Sequence, residues 1–468
     1  MTNTLVHEIL SGFSKEEFRA FGVFLQSPYY NRRMDLIRAN RVFTAYLSKG
    51  RSLPSKAVFF KKVFPGEPYN DQKLRLTLSR LHKLLEKFIV ITTMEQMPLE
   101  AEKLLITAYR KRKLRRNFER SIRKTNRQIA QQSLKTPDFH LQQYHIEYQN
   151  YLRGSDNPRS KSLNLEKVEQ YLDLAYFSAK LRQACFTLSH QAVSNIQYHS
   201  VLLTEIMELA QQEPYKDEPA ISLYYRFILL FQEGDIEEFG SFRKELFAYR
   251  KYFSREEFRD IYLLALNFCI RKINQNEKPF FQETLNMYKK GLDMELLLEQ
   301  GQISRFTYNN IVAIALNRGD LEWVDGFIKT YSDHLNETYR EATYHLNLSR
   351  LAFAKKDFKD ALSHLQKTDH DDLISHMTAK ILQMKIYYEL REFDSLDYLI
   401  QSLRIFIQRK KRIGYHYHLW RNILKYTQKL SRVNPYDKAA INRLKTQIRE
   451  EALLPEREWL LAKLEVLR

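Results

Sequence analysis

The sequence predicts an all-α chain: a helical head over residues 1–97, then an α-solenoid of helical hairpins over residues 98–468. Three observations carry this. Gly and Pro number 12 each among 468 residues, about 5% of the chain where ordinary usage is about 12%. Sandwiches, barrels and doubly wound sheets need those residues for their turns. Apolar residues recur at spacings of three and four from about residue 100 onward, as in Leu202, Ile206 and Leu209, or Leu285, Tyr288 and Leu292. Prolines fall between such runs, at Pro98, Pro137, Pro158, Pro214 and Pro219, where one helix stops and another begins. A hydrophobic content of 44% excludes wholesale disorder.

The head is legible element by element. Ser14-Lys15-Glu16-Glu17 is a capping box opening a helix through Phe18, Phe21, Phe24 and Leu25, which Ser27-Pro28 closes. Met34 to Leu47 reads as a second helix. Ser55 caps a third through Phe59, Phe60 and Val63, ended by Pro65-Gly66. Asn70-Asp71 cap a long helix with Leu74, Leu78, Leu81, Leu85 and Phe88 on one stripe, and Ile89–Thr93 after it is β-prone.

Beyond the head a repeat emerges, clearest over 305–405. In LSRLAFAKKDFKDALSHL (348–365), Leu348, Leu351 and Ala352 line a first helix. Phe358 opens a second, with Ala361 and Leu365 on its inner side. The next unit places Met384, Tyr387, Phe393, Leu396 and Ile400 correspondingly, Phe393 lying 35 residues after Phe358. The preceding unit turns at Gly319-Asp320, with Leu321 37 residues before Phe358. A looser unit surrounds Gly234-Asp235, and the spacing leaves room for another near Phe280-Phe281.

This pattern resembles the tetratricopeptide repeat, whose paired helices place a small residue where they cross and an aromatic just after the turn. The resemblance implies a non-catalytic scaffold that binds a protein or peptide on its hairpin surface. The sequence departs from the family at Val324 and Leu396, which take the crossing position where Ala361 fits. The SPYYN turn (27–31) and FPGEPYN (64–70) resemble segments of uncharacterised bacterial proteins with helical-repeat bodies. The stretch from Phe64 to Phe88 is also similar to the final helix of a winged helix that precedes a repeat domain in some bacterial transcriptional activators. That likeness implies that Arg75, Arg80, Lys83 and Lys87 face phosphates.

Charge is concentrated. The formal charge is +19, yet residues 136–400 carry 31 basic and 39 acidic groups. Residues 110–127 hold ten cations (Arg110, Lys111, Arg112, Lys113, Arg115, Arg116, Arg120, Arg123, Lys124 and Arg127) against one acid, Glu119. Tyr109, Phe118, Ile122 and Ile129 keep helical spacing through the run, so the densest charge sits at the tip of a hairpin. Three readings are open for it: a solvated face, an anion- or nucleic-acid-binding surface, or a surface for an acidic protein. A second, weaker patch is Arg409, Lys410, Lys411 and Arg412, followed by Tyr415, His416, Tyr417, His418 and Trp420. Cations among aromatics suit single-strand binding, but the spacing of Trp420 with Ile423 and Leu424 fits a core better.

Catalytic motifs are absent: there is no HExxH, paired CxxC, GxSxG, Walker or dinucleotide fingerprint. The expectation is therefore no enzyme and no cofactor. Asp369-His370-Asp371-Asp372, between His364 and His376, has metal-ligand residue types, but acids at a helix start serve the helix dipole, so no metal is expected. Cys185 and Cys269 lie in apolar helical runs, a usage suited to a reducing compartment. With no basic n-region near Met1 and no long apolar run, the expectation is a cytoplasmic protein with no membrane partner. The competing function class is nucleic-acid binding, RNA or DNA, through 110–127.

Overall fold

In a computed structural model the described residues are 4–154, 163–194, 196–275, 277–368, 372–409 and 416–467. They form 23 α-helices, mostly packed against the helix next in sequence, an arrangement consistent with a helical repeat array. The chain divides into two compact units, residues 1–132 with 143–168, and residues 133–142 with 169–468.

The first unit opens with α1 (Leu5–Ser11), α2 (Lys15–Gln26), α3 (Met34–Leu47), α4 (Lys56–Val63) and α5 (Asp71–Gln96). The expected capping box is present: the Glu17 amide donates to Ser14 Oγ (3.2 Å) and the Ser14 amide to the Glu17 carboxylate (2.7 Å). Phe13, Phe21 and Phe24 gather on Phe88, with ring centroids 5.3–6.0 Å apart. The turn over 27–31 is built on buried Asn31, whose amide donates to the carbonyls of Leu25 (2.9 Å) and Arg33 (3.0 Å). Tyr30 stacks on Phe24 at 4.2 Å. This five-helix core closes at Phe88. α5 then continues unbroken through Ile89–Thr93, so the β-prone stretch is helical. Without a partner strand, β-branched side chains extend a helix whose backbone bonds are already in place. Two further helices, α6 (Pro98–Lys111) and α7 (Arg115–Ala130), pair as a hairpin.

Two helices, α8 (Pro137–Gly154) and α9 (Leu165–Ser194), each have residues in both units. Within the second unit, short α10 (Leu203–Leu209) buries Ile206 while Leu202 and Leu209 stay exposed. There follow α11 (Pro219–Glu233), α12 (Ile236–Tyr249), α13 (Arg255–Asn274) and α14 (Pro279–Asp293). A two-strand ribbon comes next, β1 (Leu298–Glu299) paired antiparallel with β2 (Gln302–Ile303). It is an addition to the all-helical expectation, made by Gln300 and Gly301, both in the left-handed region. The remaining helices are α15 (Arg305–Asn317), α16 (Leu321–Tyr331), α17 (Arg340–Ala354), α18 (Phe358–Leu365), α19 (Leu373–Glu389), α20 (Phe393–Arg409), α21 (His416–Arg432), α22 (Lys438–Glu450) and α23 (Arg457–Val466).

Both Gly-Asp pairs turn as expected. Gly234 ends α11 and Asp235 caps α12, accepting from the amides of Glu237 and Glu238 at 2.9 Å. Gly319 takes a φ of 76°, which a side chain would resist. Pro98, Pro219 and Pro279 open helices at positions where no intrahelical amide is lost.

The second helices of three hairpins begin at Leu321, Phe358 and Phe393, and their crossing residues Val324, Ala361 and Leu396 are fully buried. At the Ala361 crossing both sides are small: Ser349 Oγ donates to the Ala361 carbonyl at 2.8 Å, a contact that only close backbones allow. Replacing Ala361 with Leu forces three further carbons into that crossing. A loss of about 1–3 kcal/mol is expected, read as a lower urea midpoint for the full chain. An unmoved midpoint means the α17–α18 crossing has room to spare.

Candidate functional site

Two features stand out among the described residues: the cation-rich α6–α7 hairpin in the first unit, and the seat of α23 in the second.

The hairpin turns at Arg112-Lys113-Leu114, with Lys113 left-handed at φ 58°. The tip expected from the sequence is therefore where the charge is densest. α7 buries Phe118, Ser121, Ile122, Thr125 and Ile129 on one side. Its solvent side carries Arg116, Arg120, Arg123 and Arg127, spaced four, three and four residues apart and so aligned along one face.

Three of the ten cations are used internally. Arg110 Nε donates to Gln149 Oε1 at 2.7 Å, Lys124 pairs with Glu102 at 2.9 Å, and Arg115 with Glu119 at 3.2 Å. Glu119 also takes Arg153 at 2.6 Å, and hydrogen bonds from the two guanidiniums hold its carboxyl below the usual carboxylate range. Lys111, Arg112, Lys113, Arg116, Arg120, Arg123 and Arg127 are exposed and form no salt bridge among the described residues.

On α5, Arg75, Arg80, Lys83 and Lys87 are exposed as the winged-helix likeness requires. The head described here, however, is helical throughout, and Arg75 is paired with Asp71 at 2.7 Å. In the second basic patch Arg409 ends α20 in solvent, while Lys410, Lys411 and Arg412 lie outside the described residues. Trp420 is buried among Met377, Ile423 and Leu460, a core position as its spacing implied.

α23 is bound to a helix some 70 residues upstream. Lys385 Nζ on α19 meets the Glu456 carboxylate at 2.6 Å, and Glu389 accepts from Trp459 Nε1 at 2.9 Å and pairs with Lys463 at 2.6 Å. Lys385 is buried, its ammonium over the rings of Phe353 (4.7 Å) and Trp459 (5.5 Å). Leu460 and Leu464 sink into the core formed by α19–α22. Lys278, before α14, reaches Glu458 at 3.6 Å. Burial pushes the Arg350 guanidinium, on α17, down to about 10, and nearby Glu456 opposes that fall. In the sequence Lys385 and Glu389 look like ordinary surface charges, so nothing there points to this seat.

The metal-ligand residue types are otherwise employed. Asp372 caps α19, accepting from the Ser375 amide (2.9 Å), and pairs with Arg305 (3.0 Å), the capping role its position implied. Asp369, His370 and Asp371 lie outside the described residues. His364 Nδ1 faces His345 Nδ1 at 3.0 Å, so one ring donates to the other, and burial and the facing ring lower the His345 pKa. Among the described residues no group of three or more His, Cys, Asp or Glu side chains is arranged to hold a metal, and no helix is long and apolar enough to cross a membrane. Both thiols are fully buried, and burial drives their pKa upward, away from the reactive thiolate. Set against protein-family models, curated proteins and solved structures, the chain matches none of them.

The seat of α23 is acid-sensitive in a definite direction. Burial opposes the charge on Glu456, but Lys385 and Arg350 outweigh it and hold the carboxyl below its ordinary 4.5. A carboxyl depressed in the folded state stabilises above its unfolded pKa and loses that contribution as pH falls through the folded one. Since 38% of the Glu456 side chain stays exposed, solvent screening limits the effect to about 1 kcal/mol. The Trp459 fluorescence, taken as wild type minus Trp459→Phe, is expected to shift toward that of a solvated indole below about pH 4.5. In Lys385→Met that acid-dependent step should vanish.

Proposed function

We propose that this protein is a non-catalytic binding scaffold whose body is a tetratricopeptide-like α-solenoid receiving a protein or peptide partner. In this reading the head ends near residue 97 and α6–α7 is the first hairpin of the array. Support for the repeat type comes from the recurring plan of Leu321/Val324, Phe358/Ala361 and Phe393/Leu396: an apolar residue opens each second helix and a buried one marks its crossing.

The observation that carries the function is the seat of α23. Helices α19–α22 hold the ten-residue α23 by two leucines, one indole and two carboxylate–lysine pairs, the indole and the pairs meeting α19. Helix-in-groove recognition of a partner uses the same means: apolar anchors at helical spacing, with charge pairs fixing direction. A surface that binds one helix of its own chain has the chemistry to bind another.

Affinity capture of the full chain from nuclease-treated cell extract tests this. A stoichiometric protein partner is expected, its recovery changed by Trp459→Ala, which loosens α23 without touching the head. Recovery of nucleic acid alone, or of nothing, contradicts the reading.

A further inference from the structure

The scaffold reading leaves the α6–α7 hairpin without a role. We propose that its exposed face is a second binding site, for the phosphodiester backbone of double-stranded nucleic acid, read without regard to base sequence.

On other helices some cations are answered one turn away, as Arg75 on α5 is by Asp71 and Lys329 on α16 by Asp325. Arg116, Arg120, Arg123 and Arg127 stand at the same helical spacings from one another, and none has a carboxylate within salt-bridge reach among the described residues. Like charges so placed work against the helix. The one acid nearby, Glu119, is already held by Arg115 and Arg153. A face that served only solubility would mix its signs.

Geometry then narrows the ligand. The stripe runs about 16 Å along α7 at about 1.5 Å per residue, and Lys111, Arg112 and Lys113 extend it around the tip. Such a line of charge fits a polyanion with closely repeated charges better than a single anion. Guanidinium forks meet two phosphate oxygens at once. The hairpin is rigid where it matters, because the opposite face of α7 is buried from Phe118 to Ile129.

Two related ligands fit less well. Single strands are held by exposed rings that stack on bases, and the only aromatic on α7, Phe118, is buried beneath Arg153. Anionic membranes take helices that offer bulky apolar groups to the acyl layer, and the arginine stripe carries none.

The test uses the full chain and fluorescence anisotropy with labelled duplexes of about 20 base pairs in unrelated sequences. Binding at about 50 mM salt is expected, equal across sequences, with log affinity falling against log salt at a slope near −4 for four engaged arginines. Arg120→Glu with Arg123→Glu should weaken it at least about tenfold and flatten the slope by about 2. The milder Arg120→Gln with Arg123→Gln, checked by an unchanged thermal melt, guards against misfolding and should also weaken binding. Lys61→Glu with Lys62→Glu, on the head, should leave it unchanged. Absence of binding, indifference to the stripe variants, or tighter binding of single strands overturns the proposal. So does stripe-dependent binding of anionic vesicles or polyglutamate without binding of the duplex. None of these outcomes bears on the protein partner sought above, so the two readings fail separately.

Discussion

The helices of this chain carry apolar surface that must be covered, a single stripe on α7 and a broad face on α11 and α13. Turns of two or three residues, as at Arg112-Lys113-Leu114, Gly234-Asp235 and Gly319-Asp320, join consecutive helices, so most helices are covered by the helix next in sequence. The rest of the structure follows from this. Hairpins form, their crossings are buried, and each hairpin leans on the next, as α15 does on α17 and α17 on α19. A small pair such as Ser349 and Ala361 brings two helices close. Val324 and Leu396 keep their crossings buried with larger side chains.

Local packing also decides which charges are free. Because α7 spends its apolar face on its own hairpin, its arginines are left on the solvent side, and the nearby acids are taken by Lys124, Arg115 and Arg153. Besides packing on α22, its neighbour in sequence, and on α21, α23 makes a longer reach. It crosses back to α19 through charges that a repeat array would ordinarily leave in water. The pairing of Lys385 with Glu456, between the rings of Phe353 and Trp459, gives that contact its direction as well as its strength.

What the sequence revealed was whatever is local. Caps at Ser14, Ser55 and Asn70, the stripe from Leu74 to Phe88, and second helices opening at Leu321, Phe358 and Phe393 all appear where spacing put them. Ile89–Thr93 misled because β-propensity counts only where a partner strand waits. The ribbon at 298–303 escaped because two-residue strands have no period to detect. The tip of the basic hairpin was visible in composition alone, but not the division between used and unused cations, since Glu102 lies 22 residues from Lys124 and Arg153 34 from Glu119. The seat of α23 was out of reach for the same reason: its partners are more than 70 residues apart, and a single sequence carries no record of which charges meet.

Whether α19–α22 hold α23 as they would hold a partner's helix is read most directly by native-state hydrogen exchange on the full chain. Amides of α23 are expected to be protected to nearly the level of α19, and Lys385→Met to lower protection in α23 while leaving the head helices unchanged. Exchange of α23 at the rate of a free ten-residue helix, in the unaltered protein, would contradict such a hold.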